Sequence, residues 1–234
     1  MKILALDTTA DVCSVAVCDD QKLIAEITVN TGNTHSQTLL PAIEQALKLC
    51  ELCVDDIDAF ACSVGPGSFT GVRIGVATVK GLAYNKNKPC VAVSTLEALA
   101  HNLIACDGII SPVMNARRNQ VYNALFRCTN GVIERLCPDR ALSITELDEE
   151  LAEYQQPVFL CGDGYDITVK GSNKTEYKRV SPRQRLQSAY SVAMCASDKI
   201  SMGDTVTDAV LAPVYLRPSQ AERERLERLN TTNN

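Results

Sequence analysis

Phosphate cradling, nucleophilic attack and dinucleotide binding each need glycines close to a donor or reactive group, and residues 63–75 carry that composition: Ser63, Gly65, Pro66, Gly67, Ser68, Thr70, Gly71, Arg73 and Gly75. The segment joins a strand-like run to a helix-like run, so its glycines and proline fix a tight backbone path with free N–H groups at the helix start. A P-loop needs Lys and then Ser or Thr after its last glycine, and Val72 and Arg73 stand there instead. A nucleophile elbow needs glycines two before and two after the serine, whereas Ser68 has Gly67 one before and Gly71 three after. Gly65, Gly67 and Gly71 approach a dinucleotide fingerprint, but the next strand candidate, 90–93, ends in Ser94 and Thr95 rather than an acid. An anion cradle and a packing device both remain.

Gly71, Gly75 and Gly81 fall inside a helical pattern over 70–84. Each interior glycine costs about 1 kcal/mol against alanine, which close approach of another backbone can offset. Gly71 and Gly75 share a face at i and i+4 that Val79 and Leu82 continue. This face serves packing within the chain or docking to a partner subunit.

Few other residues offer chemistry. His35 and His101 are the only histidines and lie far apart, so no two-histidine helix motif can hold a metal. His35 reads as a helix-start residue and His101 as half-buried. A serine peptidase would need one of them beside Ser68, and no spacing places either there. Cys50 and Cys53 form the only C-x-x-C, without the second pair or nearby histidines of a zinc site. The eleven cysteines read as reduced thiols used as small core residues. Residues 3–6 are too short a run for a signal-peptide core, which predicts a cytoplasmic protein. A net charge of −5 argues against a dedicated nucleic-acid binder, with Arg117 and Arg118 the best local basic patch.

The elements that would position these residues follow from periodicity. Runs 2–6, 12–18 and 22–29 read as a three-strand meander. A helix opens near residue 34, its apolar face using Leu39, Leu40, Ile43, Leu47 and Cys50, with Pro41 kinking it or marking its true start. A strand over 57–64, the glycine-rich helix, a strand over 90–93 and a helix over 96–105 complete the first half. The second half repeats the order, with strands over 108–114, 121–127 and 132–137, a helix over 144–154, a strand over 158–161 and a helix over 189–202. A return segment spans 208–217, and 220–234 is a charged tail. Two domains are expected, 1–106 and 107–234, with a late helix able to pack back across the boundary. A meander followed by alternating helices and strands, twice, predicts the α/β actin-like ATPase fold (ASKHA, ribonuclease H-like).

In that fold the first hairpin of each half embraces nucleotide phosphates, and close backbone approach favours glycine. Here the two turns are Asp7, Thr8, Thr9, Ala10, Asp11 and Asn115, Ala116, Arg117, Arg118, Asn119, with no glycine. Asp7, Thr8, Thr9, Asn115 and Arg117 are therefore expected to outline a vestigial nucleotide cleft, in which Asn115 lacks the charge to work opposite Asp7 on a metal-bound water.

Residues 3–8, Thr34-His35-Ser36-Gln37 leading to Leu40-Pro41, residues 65–75, Val93-Ser94-Thr95-Leu96, Asn115-Ala116-Arg117 leading to Val121-Tyr122, and Pro213-Val214-Tyr215-Leu216-Arg217 closely resemble, in order, the TsaB (YeaZ) family. The resemblance implies the actin-like fold and a part in making threonylcarbamoyladenosine at position 37 of tRNAs that read ANN codons. It implies a platform without catalytic residues or a metal of its own. The paralogous TsaD carries the chemistry, the ATPase TsaE joins the pair, and ATP, ADP and metal are expected on those partners or at a composite interface. The docking helices would be those over 34–50 and 70–84, with Leu39, Ile43, Gly71, Gly75 and Val79 as the face. The same face would serve a homodimer, tRNA would be reached through the complex, and no membrane is involved. The chain departs from the family at Asn115, where Asp is common, and at Asn119, where glycine is common. A glycoprotease-like peptidase and an independent ATPase of the same fold are the competing readings.

Overall fold

The structure is a computed structural model that describes residues 1–217. The charged tail expected over 220–234 lies outside the described residues.

The first half forms β1 (Lys2–Asp7), β2 (Cys13–Asp19), β3 (Lys22–Val29), α1 (His35–Leu49), β4 (Ala59–Ser63), α2 (Phe69–Ala83), β5 (Cys90–Val93) and α3 (Thr95–His101). Its five-stranded sheet has the order β3-β2-β1-β4-β5, antiparallel across the meander and parallel beyond β1. Side chains alternate across a strand with period two, and residue size follows that alternation. Leu4, Leu6, Val15, Val17 and Phe60 face α1 and α2, while Ile3, Ala5, Ala16, Ala59 and Ala61 form a flatter opposite face. The helix covering that flat face is α6 (Ala189–Ser201), whose Ala189, Ala193 and Ala196 let it lie close to the sheet.

The second half forms β6 (Gly108–Asn115), β7 (Gln120–Asn123), β8 (Phe126–Thr129), β9 (Val132–Arg135), β10 (Arg140–Ser143), α4 (Ile144–Leu151), β11 (Val158–Cys161), α5 (Tyr165–Gly171) and β12 (Tyr177–Lys178). The path β10-β7-β6-β11-β12 repeats the first sheet's order, with β8 and β9 paired alongside β6. The strand expected over 121–127 is broken into β7 and β8. Buried Asn123 turns its amide onto Ser111 Oγ, Pro112 O and the Ala124 carbonyl, which interrupts the ladder there. α4 starts at a capping box between Ser143 and Glu146, and α1 runs through an exposed Pro41 rather than starting at it.

The expected division at 106/107 is corrected by the late elements. α6 packs on β1, β2, β4 and β5, and residues 205–217 return to the first lobe through the Cys90–Val206 bridge and buried Leu211. The first lobe is therefore built from both ends of the described chain. All eleven cysteines are free, and seven of them are buried, the use as small core residues that their number suggested. Burial pushes the Cys18 thiol up to about 12 and Cys90 to about 11, so neither is a reactive thiolate at neutral pH.

Candidate docking surface and interlobe cleft

The glycine-rich segment closes over the β1–β2 turn. Ser68 caps α2 by accepting from the Gly71 N–H at 3.3 Å, and its own N–H donates to Thr9 O at 2.7 Å. Thr8 Oγ1 donates to Gly71 O at 2.7 Å. A Cβ on Gly67 would stand 2.4 Å from Thr9 O, one on Gly71 1.9 Å from Thr8 O, and one on Gly75 2.6 Å from Thr8 Oγ1. Glycine at these positions lets the helix lie directly on the turn, the packing reading of the motif. α1 holds the same turn from its other side, because His35 Nε2 hydrogen-bonds Ala10 O at 2.7 Å.

Asp7 is consumed within this assembly. One carboxylate oxygen accepts from Thr9 N–H at 2.9 Å and Thr9 Oγ1 at 2.8 Å, and the other accepts from Ser63 Oγ at 2.5 Å. Burial raises its pKa, and these hydrogen bonds oppose the rise. Asp7, Thr8 and Thr9 are each no more than 1% exposed.

Between the lobes lies a cleft of about 470 Å³ lined by Thr9, Asp11, Gly67, Asn115, Arg117 and Asp163, among others. Of the five residues expected to outline a nucleotide cleft, Asn115 and Arg117 line it, Thr9 contributes buried atoms to its wall, and Asp7 and Thr8 lie behind it. Arg117, Arg118 and Asn119 occupy the left-handed backbone region in succession, and Asn115 Oδ1 accepts from the Arg117 N–H at 2.8 Å to hold that turn. The Asp7 carboxylate is held by Ser63 and Thr9, and the Thr9 N–H by Asp7. Asp163, absent from the sequence expectation, faces the cleft together with Asp11. Burial, with Asp11 nearby, pushes it up to about 6, against the Asn115 N–H it accepts at 3.2 Å.

The expected docking face is corrected by the same geometry. Leu39, Ile43 and Val79 sit in the first lobe's core, and Gly71 and Gly75 are sealed against Thr8. The most apolar stripe of an amphipathic helix faces its own core, and a helical-wheel reading of Val72, Val76 and Val79 carried that signal. The outward face of α2 instead presents Thr70, Arg73, Ala77, Gly81 and, at its end, Tyr84, and α1 presents Leu40, Glu44 and Lys48. Leu40 is 59% and Tyr84 74% exposed. A Cβ on Gly81 would meet nothing within 4 Å. Ser68 is a helix cap, His35 is bound to Ala10 O, and His101 Nδ1 faces Glu97 O and Cys195 Sγ, so neither imidazole is hydrogen-bonded to the hydroxyl that a peptidase would activate.

Two lobes with one repeated strand order, joined over a cleft, define an actin-like ATPase fold. The family model described as TsaD, tRNA N6-adenosine threonylcarbamoyltransferase, matches residues 23–221. The chain is 39% identical to the tRNA threonylcarbamoyladenosine biosynthesis protein TsaB of Bacillus subtilis, over 69% of this chain and 71% of that protein. It is 30% identical to the Escherichia coli protein of the same name, over 94% and 96% of the two chains. The solved YeaZ of Pseudomonas aeruginosa superposes with a TM-score of 0.82 at 26% identity, covering 92% of this chain and 99% of that one. The chain belongs to the TsaB (YeaZ) family. Among the described residues no helix is long and apolar enough to cross a membrane.

Proposed function

We propose that this chain is the non-catalytic docking subunit for threonylcarbamoylation of adenosine 37 in tRNAs that read ANN codons. It acts in the cytoplasm and meets tRNA only through the complex. TsaD supplies the catalytic groups and docks on the outward faces of α1 and α2, TsaE joins that pair, and nucleotide and metal are held by those subunits or where they meet this one. The same surface serves a homodimer when the partner is missing.

The observation that carries this reading is Gly81. An exposed glycine inside a helix costs about 1 kcal/mol, and among the described residues no atom lies within 4 Å of where its Cβ would be. Ala77, one turn before it, is also small, so another helix can approach α2 closely over the Ala77–Gly81 stretch, beyond exposed Arg73. A spent Asp7 supports a chain that performs no phosphate chemistry alone.

The test is co-purification with TsaD and TsaE and reconstitution of the tRNA modification. Gly81→Leu is expected to stay folded, lose the TsaD complex and abolish modified nucleoside in tRNA. Retention of the complex by that variant refutes the chosen face. Modification by TsaD and TsaE with this chain omitted refutes the role.

A further inference from the structure

Residues 205–217 cross the first lobe as a strap that ends at the cleft mouth. Cys90 and Val206 exchange backbone hydrogen bonds at 2.8 Å, and Lys80 Nζ of α2 donates to Ala209 O at 3.1 Å and Leu211 O at 2.9 Å. Further on, Val214 N–H donates to Val64 O at 2.8 Å, and Gly65 lacks the Cβ that would strike Val214 O. Tyr215 stacks on Phe69 with centroids 4.5 Å apart, and its hydroxyl accepts from Arg73 Nε at 2.7 Å. Arg217 Nη2 then donates to Gln120 Oε1 at 2.5 Å, its guanidinium over the Tyr122 ring. Among the described residues, the anchors through Tyr215 are all on the first lobe, three of them to α2 side chains; Leu216 packs on the apolar cluster that includes Ile110 and Tyr122, and Arg217 is the polar anchor to β7 of the second.

A segment without regular structure that buries few side chains is positioned by such point contacts, and each can be removed without opening the core. Phe69 and Arg73 lie on the flank of the outward α2 face, so movement of Tyr215 bears on the helix that docking would use. We propose that Tyr215 and Arg217 are positioning residues that relay to α2 the position of β7, through Gln120 and through Tyr122, which lines the cleft. Whatever shifts β7 then alters the docking face, and by linkage a docked partner alters the cleft mouth. The relay within the chain stands on these contacts alone, and its effect on partner affinity rests on the docking reading above.

The experiment is hydrogen exchange of the full chain, read over residues 69–83, alongside titration with TsaD. Arg217→Ala, which touches only the polar second-lobe anchor, is expected to speed exchange at the start of α2 by about threefold or more and to weaken TsaD binding by a similar factor. Exchange in β1 and β4 and the unfolding midpoint should stay at parental values, and Arg217→Lys should restore part of the protection. Tyr215→Ala should give the same local change, and the double variant should add little, because both break one relay. Unchanged α2 exchange in folded Arg217→Ala, or fully additive effects in the double variant, overturns the proposal. Should Arg217→Ala fail to fold, Gln120→Ala removes the same hydrogen bond from the other side, and parental exchange there overturns it equally. A parent chain that does not bind TsaD removes the docking reading, while the exchange data still decide the relay.

Discussion

Thr8 Oγ1 donates to the Gly71 carbonyl at 2.7 Å, and the same oxygen lies 2.6 Å from where a Gly75 side chain would begin. One threonine thus ties the first hairpin to α2 and dictates two of the helix's three glycines. The β1–β2 turn is here a packing element for α2.

Replacing Gly75 with leucine should therefore destabilise the chain itself. Overpacking costs about 1–3 kcal/mol, and more where backbone must move. Denaturant unfolding should show at least that loss, partly recovered in the Gly75→Leu, Thr8→Ala pair because the two sites share one contact. Parental stability of Gly75→Leu would mean that α2 does not rest on this turn.

Gly81 should behave in the opposite way. With open space at its Cβ, Gly81→Ala should stabilise the isolated chain by roughly 0.5–1 kcal/mol through helix propensity. A thermal scan of the two proteins is sufficient, and a destabilised Gly81→Ala would contradict the exposure of this face.

Asp163 predicts a pH dependence. Its carboxyl ionises near 3.8 when unfolded and near 6 in the folded chain, so between those values the native state binds more protons. Stability from this group is present below about pH 4 and is lost as pH rises through about 6, an effect that solvent screening keeps small because the residue is exposed. Asp163→Asn should raise stability at pH 7.5, match the parent near pH 4 and flatten the slope between. An equal slope in both proteins would assign the effect to another group.

Asp7→Ala would leave the Ser63 hydroxyl and both Thr9 donors buried without an acceptor, at a cost of roughly 2–4 kcal/mol. Calorimetry of the parent with ATP and magnesium should detect no micromolar binding, since this carboxylate is already committed. Tight binding that disappears in a folded Asp7→Asn chain would reverse that reading of the cleft.

Apolar runs bounded by turn residues, as in β1 and β4, made the repeated halves legible, because these signals are local. The glycine segment was legible as a close-approach device, but its contact was not, since Thr8 lies some sixty residues earlier in the chain. The glycines alone left packing and docking both open, and placing Gly71 and Gly75 on a docking face followed from the family resemblance, when the valines beside them marked the core. α5, β10 and β12 are short, and their sequences carry too few periods to stand out from loops. Asp163 reads as an ordinary turn residue beside Gly162 and Gly164, and only the fold brings it opposite Asp11.

The late crossing of α6 has a consequence for biogenesis. On the ribosome, the small-residue surface of Ala5, Ala16, Ala59 and Ala61 emerges long before Ala189, Ala193 and Ala196 can cover it. The N-terminal sheet must wait, half clothed, until synthesis has passed the whole of α6. A chain released before residue 189 would keep that surface bare and be prone to self-association, so the first-made lobe is protected only by a helix made long after it.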